Sequence, residues 1–285
     1  MKRIVVVLFF VLIVGIIGRN LNPFSNAFFR IHDTTQYARI SEFTFNLKNG
    51  VIPPRLAPHM SFNLGYPILN FYAPFSYWIS SSFNIVGFTV VSAFKVSMLL
   101  ALCIAFLGMI LFLSQFFSFF PSIIGGLLYS LSPWVATEIF VRGNLGEMWF
   151  IALLPLSLAL ITTLSKKYSG LIMIVTTLIL SFLFTTHNAL SLIGFGIVLV
   201  YSIAQEQKKN VFLSIALALT STAYFWLPFI WETKLTYALA VAQKTNFTEH
   251  FLCITQLWTT PFWGFGGSAA GCTDGMSFML GKLVI

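Results

Sequence analysis

Residues 89–113 read TVVSAFKVSMLLALCIAFLGMILFL, a stretch in which Lys95 carries the one formal charge. Crossing the hydrocarbon core of a bilayer takes about 20 predominantly apolar residues in a helix. A spanning segment must also satisfy its backbone polar groups internally. The stretch therefore reads as a transmembrane helix, with Lys95, near one end, expected to extend its amine to the headgroups. Six further apolar runs lie at 4–18, 121–140, 146–164, 170–186, 189–204 and 211–230. The expected fold class is all-α, a polytopic helical membrane protein of about seven spans in which residues 1–285 form a single transmembrane domain. Composition agrees: 58% of residues are hydrophobic and 8% charged, where a soluble domain carries about 25% charged residues. Much of the net charge of +8 falls in short loops, where Lys and Arg set membrane orientation. It is no argument for a nucleic-acid partner.

The basic pairs Lys2-Arg3, Lys166-Lys167 and Lys208-Lys209 fall on one side of a seven-span chain, which the positive-inside rule makes cytoplasmic. The apolar run after Met1-Lys2-Arg3 has the form of a secretory signal. Because Arg19-Asn20-Leu21-Asn22-Pro23 offers no A-x-A-like cleavage site, an uncleaved first helix is expected. Residues 66–87 are rich in Tyr and Trp, which favour the headgroup level, and read as an interfacial or re-entrant segment. The outer face then holds the first loop (19–88), residues 141–147, the His187-Asn188 corner and the tail (231–285). All four His and both Asp of the chain, Asp33 and Asp274, fall on that face. Cys253 and Cys272 share the tail. We read them as two free thiols, a disulfide being the alternative in an oxidising compartment.

Within the first loop, Tyr37, Ile40, Phe43 and Leu47 recur at helical spacing, which predicts an extracytoplasmic amphipathic helix over 34–48. Asn49-Gly50 closes it and Pro53-Pro54 prevents its resumption. Asp33 is placed to cap the start, with Gln36 completing a capping box.

The order His32-Asp33, Arg39, Asn46-Leu47-Lys48-Asn49-Gly50-Val51-Ile52-Pro53-Pro54-Arg55, Gly65-Tyr66-Pro67 and Phe71-Tyr72-Ala73-Pro74 resembles the start of a family of large bacterial membrane proteins. That family is named for a "6-pyruvoyl-tetrahydropterin synthase-related" domain. Further matches are Val141-Arg142-Gly143-Asn144-Leu145-Gly146-Glu147, Thr186-His187-Asn188, Trp226-Leu227-Pro228 and Asp274-Gly275-Met276-Ser277-Phe278. The layout is similar to that of the GT-C superfamily of polyprenyl-phosphate-dependent glycosyltransferases. The resemblance implies a GT-C-like helical fold in the bacterial cytoplasmic membrane, and a chain that is the N-terminal part of a larger protein. It implies membrane lipid and a polyprenyl-phosphate sugar donor as partners, with the acceptor open, and no cofactor. In GT-C enzymes an acidic residue of the first extracytoplasmic loop draws the proton from the acceptor hydroxyl, and Asp33 matches that position. The family name implies no pterin chemistry, and the sequence shows no zinc-ligand cluster of the required kind.

Each candidate has a plainer reading beside it. Asp33 serves as general base or merely as a helix cap. His32 orients Asp33 or binds phosphate, or is an interfacial loop residue. Arg55 and Arg142 have the planar fork that suits a lipid phosphate; alternatively Arg55 reaches to headgroups and Arg142 pairs with Glu138 or Glu147. Glu147, His187 and Asp274 complete the expected substrate-binding set, His187 being equally readable as a satisfied loop histidine. No metal site is expected. The alternative function is a non-enzymatic transporter or assembly component for surface polysaccharide. Against it stand the absence of an evident repeat and the scarcity of charge at helix centres.

Overall fold

The computed structural model describes residues 8, 15, 18–25, 27–237, 240, 244, 246–259, 264–265, 270–273 and 275–281. The expected first span, 4–18, lies almost wholly outside them. The described residues contain helices and turns and no strand, with an isolated antiparallel bridge between Ala57 and Tyr66. The main helices are α1 (Thr35–Lys48), α2 (Phe75–Ile85), α3 (Val90–Leu113), α4 (Phe119–Ser130), α5 (Pro133–Thr137), α6 (Leu145–Lys166), α7 (Gly170–Leu183), α8 (Asn188–Ile203) and α9 (Lys208–Glu232).

Four helical stretches are long and apolar enough to cross a membrane: Val90–Leu113, Phe119–Arg142, Leu145–Lys166 and Lys208–Leu235. The expected spans at 170–186 and 189–204 form α7 and α8, of 14 and 16 residues, shorter than the roughly 20 residues of a full crossing. α2, with 11 residues, is shorter still.

The central pair is α3 and α6. Met98, Leu102, Ala105 and Phe106 of α3 are buried with Met148, Trp149, Ala152 and Leu153 of α6, and the Trp149 indole donates to Ser97 Oγ at 2.9 Å. Hydroxyl pairs tie the outer helices in, Thr162 to Tyr201 at 2.6 Å and Ser181 to Ser221 at 2.7 Å. Small and hydroxylated residues at such contacts suit a bundle in lipid, where apolar burial alone gives helices little reason to associate.

Lys95 does not reach for headgroups. It is 2% exposed, and its ammonium donates to the carbonyls of Asn22 (3.3 Å), Ser25 (2.7 Å) and Ala27 (2.6 Å). An ammonium has three donors and no acceptor, and an irregular loop has carbonyls to satisfy. The pairing fastens Asn22, Ser25 and Ala27 to α3.

The outer-loop helix forms within one residue of expectation. Its end is a Schellman motif: Val51 N–H donates to Asn46 O and Gly50 N–H to Leu47 O. Its start differs. Thr34, not Asp33, occupies the N-cap, without a side-chain bond. Asp33 offers Gln36 only its backbone carbonyl, because its carboxylate turns to His32 Nδ1 at 2.7 Å. α1 buries Ile40 and Phe43 and packs on α2 and α3.

The two tail cysteines are joined as a Cys253–Cys272 disulfide, which corrects the expectation of two free thiols. The tail doubles back, Leu280 N–H donating to Leu257 O at 3.1 Å, and this return brings both cysteines together. Cys103, in α3, is free.

Candidate functional site

The site is built at the end of the bundle where α6 begins. Ser132 caps α5 with Pro133 at its first position, and the helix loosens into a π turn over Glu138–Arg142. Gly143, at φ +66°, ends it, and a Cβ there would come within 2.5 Å of Ile31. Asn144 then caps α6, its Oδ1 accepting from Glu147 N–H at 3.2 Å. This corner seats the start of the outer loop by backbone pairing: His32 N–H donates to Val141 O at 2.8 Å and Asp33 N–H to Arg142 O at 2.9 Å. Asp33 is thus placed by main chain on a helix terminus.

The neighbouring corner at 185–188 closes the other side. Gly146 is needed at the start of α6, since a Cβ would lie 2.6 Å from Thr186 O. Asn188 stitches the Phe-Tyr-Ala-Pro loop to this corner, donating to Phe71 O at 2.8 Å and accepting from Ala73 N–H at 2.9 Å. Phe75 N–H adds a bond to Thr185 O at 2.9 Å. The result places Tyr72 edge-on to His187, ring centres 6.5 Å apart.

Charges inside the site are unevenly matched. Arg142 donates through Nη1 to Glu138 (3.0 Å) and Glu147 (2.9 Å), and through Nη2 to the other oxygen of Glu147. Glu147 also accepts from Asn144 at 2.9 Å and lies 3.8 Å from His187 Nε2. Burial pushes the His187 pKa below its ordinary value, outweighing the pull of Glu147. Its Nδ1 accepts from Leu190 N–H at 3.3 Å, capping α8, a bond that the neutral ring makes and the charged ring cannot.

On the other side, Asp33 has no Arg or Lys within ion-pair distance among the described residues. Its carboxylate is about a quarter exposed, and its charge reaches His187, Tyr72 and Tyr77. Arg39, one turn into α1, lies over the Tyr72 ring at 4.1 Å and donates to the Tyr77 hydroxyl at 3.3 Å. Tyr77 in turn donates to Gln36 Oε1 at 2.6 Å. Burial raises both phenol pKa values, so both tyrosines stay neutral hydroxyls.

Of the expected residues, the fold gathers His32, Asp33, Arg142, Glu147 and His187. Arg55 belongs to another place: it donates to Asn70 at 2.7 Å and to Tyr224 O at 3.2 Å, and Asn70 reaches Glu232 at the end of α9. Asp274 lies outside the described residues. Its neighbours Met276 and Phe278 pack with Val141 beside the π turn, Phe278 stacking on Trp134. Arg39, Tyr72 and Tyr77 had no assigned role in the sequence reading. The signal available was the three-residue spacing of Gln36 and Arg39, which puts both on one helix face. No group of three or more His, Cys, Asp or Glu placed to share a metal ion occurs among the described residues.

Long apolar helices around a polar corner define a helical membrane protein. The chain belongs to the 6-pyruvoyl-tetrahydropterin synthase related domain family of membrane proteins, which it matches over residues 69–271. That range includes Tyr72, Tyr77, Arg142, Glu147 and His187, whereas Asp33, Arg39 and Arg55 precede it. No curated protein and no solved structure matches the chain.

Proposed function

We propose that the chain carries the acceptor-activating part of a GT-C-type glycosyltransferase, which moves a sugar from a polyprenyl-phosphate donor on the extracytoplasmic face. The observation that supports it most is the state of Asp33. It is held by backbone pairing, it is not used as a helix cap, and no Arg or Lys among the described residues lies within ion-pair distance of it. A carboxylate so placed can accept a proton from a hydroxyl within hydrogen-bond reach. The acceptor oxygen would bond to the anomeric carbon, the bond from that carbon to the phosphate oxygen would break, and the acceptor proton would pass to Asp33. The leaving phosphate keeps the bond's electrons. His32 orients the carboxylate, and Glu147 and His187 offer polar contacts to sugar hydroxyls. With Arg142 matched by two carboxylates and Arg55 turned to α9, both arginines hold the frame in this reading.

Two observations favour the extracytoplasmic side. Lys166 and Lys167 end α6, roughly 33 Å from its first residue at 1.5 Å rise per residue, so the basic pair and the site occupy opposite ends. Disulfides such as Cys253–Cys272 persist in oxidising compartments. The test is Asp33→Asn, assayed for release of polyprenyl phosphate from a lipid-linked sugar in membranes. Turnover should fall by at least about a hundredfold, the usual contribution of a general base. Undiminished turnover at normal protein level would remove the base role.

A further inference from the structure

We propose that Arg39, laid on Tyr72 and tethered to Tyr77, is the seat of a phosphate-ester oxyanion, the leaving phosphate of the donor lipid. The inference rests on the glycosyl-transfer reading for the identity of that lipid, and on the charge pattern for the site itself. The other guanidinium and ammonium groups buried in this half of the molecule have partners. Arg142 has Glu138 and Glu147, Arg55 has Asn70 and the Tyr224 carbonyl, and Lys95 has its loop carbonyls. Arg39 is half-buried and has no ion pair among the described residues; what touches it is the face of one tyrosine and the hydroxyl of another.

A cation on an aromatic face gains on the order of 0.5–2 kcal/mol and keeps its charge without a counter-ion. The arrangement also fixes direction. Tyr72 covers the flat of the guanidinium and Tyr77 takes one nitrogen, so the planar fork is held in one orientation. A fork so held suits two oxygens of a phosphate, a geometry that a lysine at the same place does not reproduce. Tyr72 is itself positioned by the Asn188 stitching and faces His187. Both tyrosines also feel the charge of Asp33. Arg39 and Asp33 therefore act on the same two phenols.

The test uses the purified full chain in nanodiscs of neutral lipid. Binding of polyprenyl monophosphate, inorganic phosphate and phosphatidylglycerol is followed by native mass spectrometry and by thermal shift, for wild type, Arg39→Gln, Arg39→Lys and Asp33→Asn. Polyprenyl monophosphate should bind wild type and raise its melting temperature. Arg39→Gln should weaken that binding by at least about tenfold, in line with loss of charge-assisted hydrogen bonds, and Arg39→Lys should restore it only in part. Without ligand, Arg39→Gln should melt close to wild type, because only its contacts to the two tyrosines are lost; a drop of many degrees would mark Arg39 as structural and overturn the proposal. Wild-type-like binding by Arg39→Gln would overturn it as well. Equal affinity for inorganic phosphate, or for phosphatidylglycerol, would overturn the assignment to the donor lipid. Asp33→Asn should still bind. Turnover by that variant would sink the base reading alone, so the two ideas fail separately.

Discussion

Arg142 and Arg39 face opposite charge environments. Arg142, in the π turn after α5, is held by Glu138 and by both oxygens of Glu147. Arg39, on the outer-loop helix, is held by two tyrosines whose hydroxyls stay neutral. One cation faces two carboxyl groups and the other faces none. Buried ion pairs add little net stability, because desolvation offsets attraction, yet removing one partner strands the other at high cost. The first arginine is therefore expected to behave as a structural member, and the second as a group whose counter-charge arrives from outside.

The largest expected effect follows from stranding. Arg142→Met leaves Glu138, which is fully buried, beside Glu147 with no cation between them. Breaking a buried pair in this way costs on the order of 3–5 kcal/mol, so the variant should unfold at markedly lower temperature in mild detergent. Replacing both carboxylates as well, Arg142→Met with Glu138→Gln and Glu147→Gln, should recover much of the loss. If Arg142→Met melts like wild type while Arg39→Gln collapses, the contrast between the two regions is inverted.

Much of this contrast lay beyond reach of the sequence, for reasons of distance along the chain. Hydropathy exposed the long runs because their signal is local, and the end of α1 was legible because Asn49-Gly50 is a local stop. The apolar run that became α7 was read three residues too far, to 186 where the helix ends at Leu183. Thr185 and Thr186 turn their hydroxyls back to the carbonyls of Ser181 and Leu183, and the chain leaves the helix at that point to receive the Phe75 N–H. Periodicity does not register such a contact. Lys95 looked like a headgroup residue because its carbonyl partners are some 70 positions away. Asp33 was singled out by the rarity of Asp, but Arg39, Tyr72 and Tyr77 become a set only when α1, α2 and the 185–188 corner meet. The charges of the Arg142 cluster were visible as a short run, since they sit within ten residues.

A pH dependence sharpens the comparison at a smaller scale. His187 touches the paired region through Glu147 at 3.8 Å and the open region through Tyr72. Its pKa in the fold is lowered by burial, against the pull of Glu147 and Asp33 and with the help of Arg142. An unfolded chain binds that proton first as pH falls, with a value near the ordinary ~6.5. The stabilisation from neutral His187 is therefore complete above that value and is lost as pH falls through the folded pKa. Protonation also ends the Nδ1 cap on Leu190 N–H, worth about 1 kcal/mol. His187→Asn keeps an acceptor for the cap and does not titrate. Below about pH 6.5 its melting temperature should decline less steeply than that of wild type, and parallel curves would show that His187 is not the titrating group.

The smallest expected effect concerns Asp33 itself. A carboxylate that caps a helix contributes roughly 0.5–2 kcal/mol, which replacement by Ala removes. Asp33 makes no such bond: Thr34 holds the N-cap, and the Asp33 carboxylate faces His32, with its backbone fixed by Arg142 O. Its placement comes from main-chain pairing that any residue can make. Asp33→Ala should therefore change stability by less than about 0.5 kcal/mol, the range of substitutions that disturb no packed or capped position. Alanine is the informative replacement, since asparagine caps helices as well as aspartate does and would leave a capping role intact. A melting temperature near that of wild type, together with lost turnover, separates a residue kept for chemistry from one kept for folding. A loss of 1–2 kcal/mol would restore the capping role and remove the principal observation that sets Asp33 apart from the structural corner around Arg142.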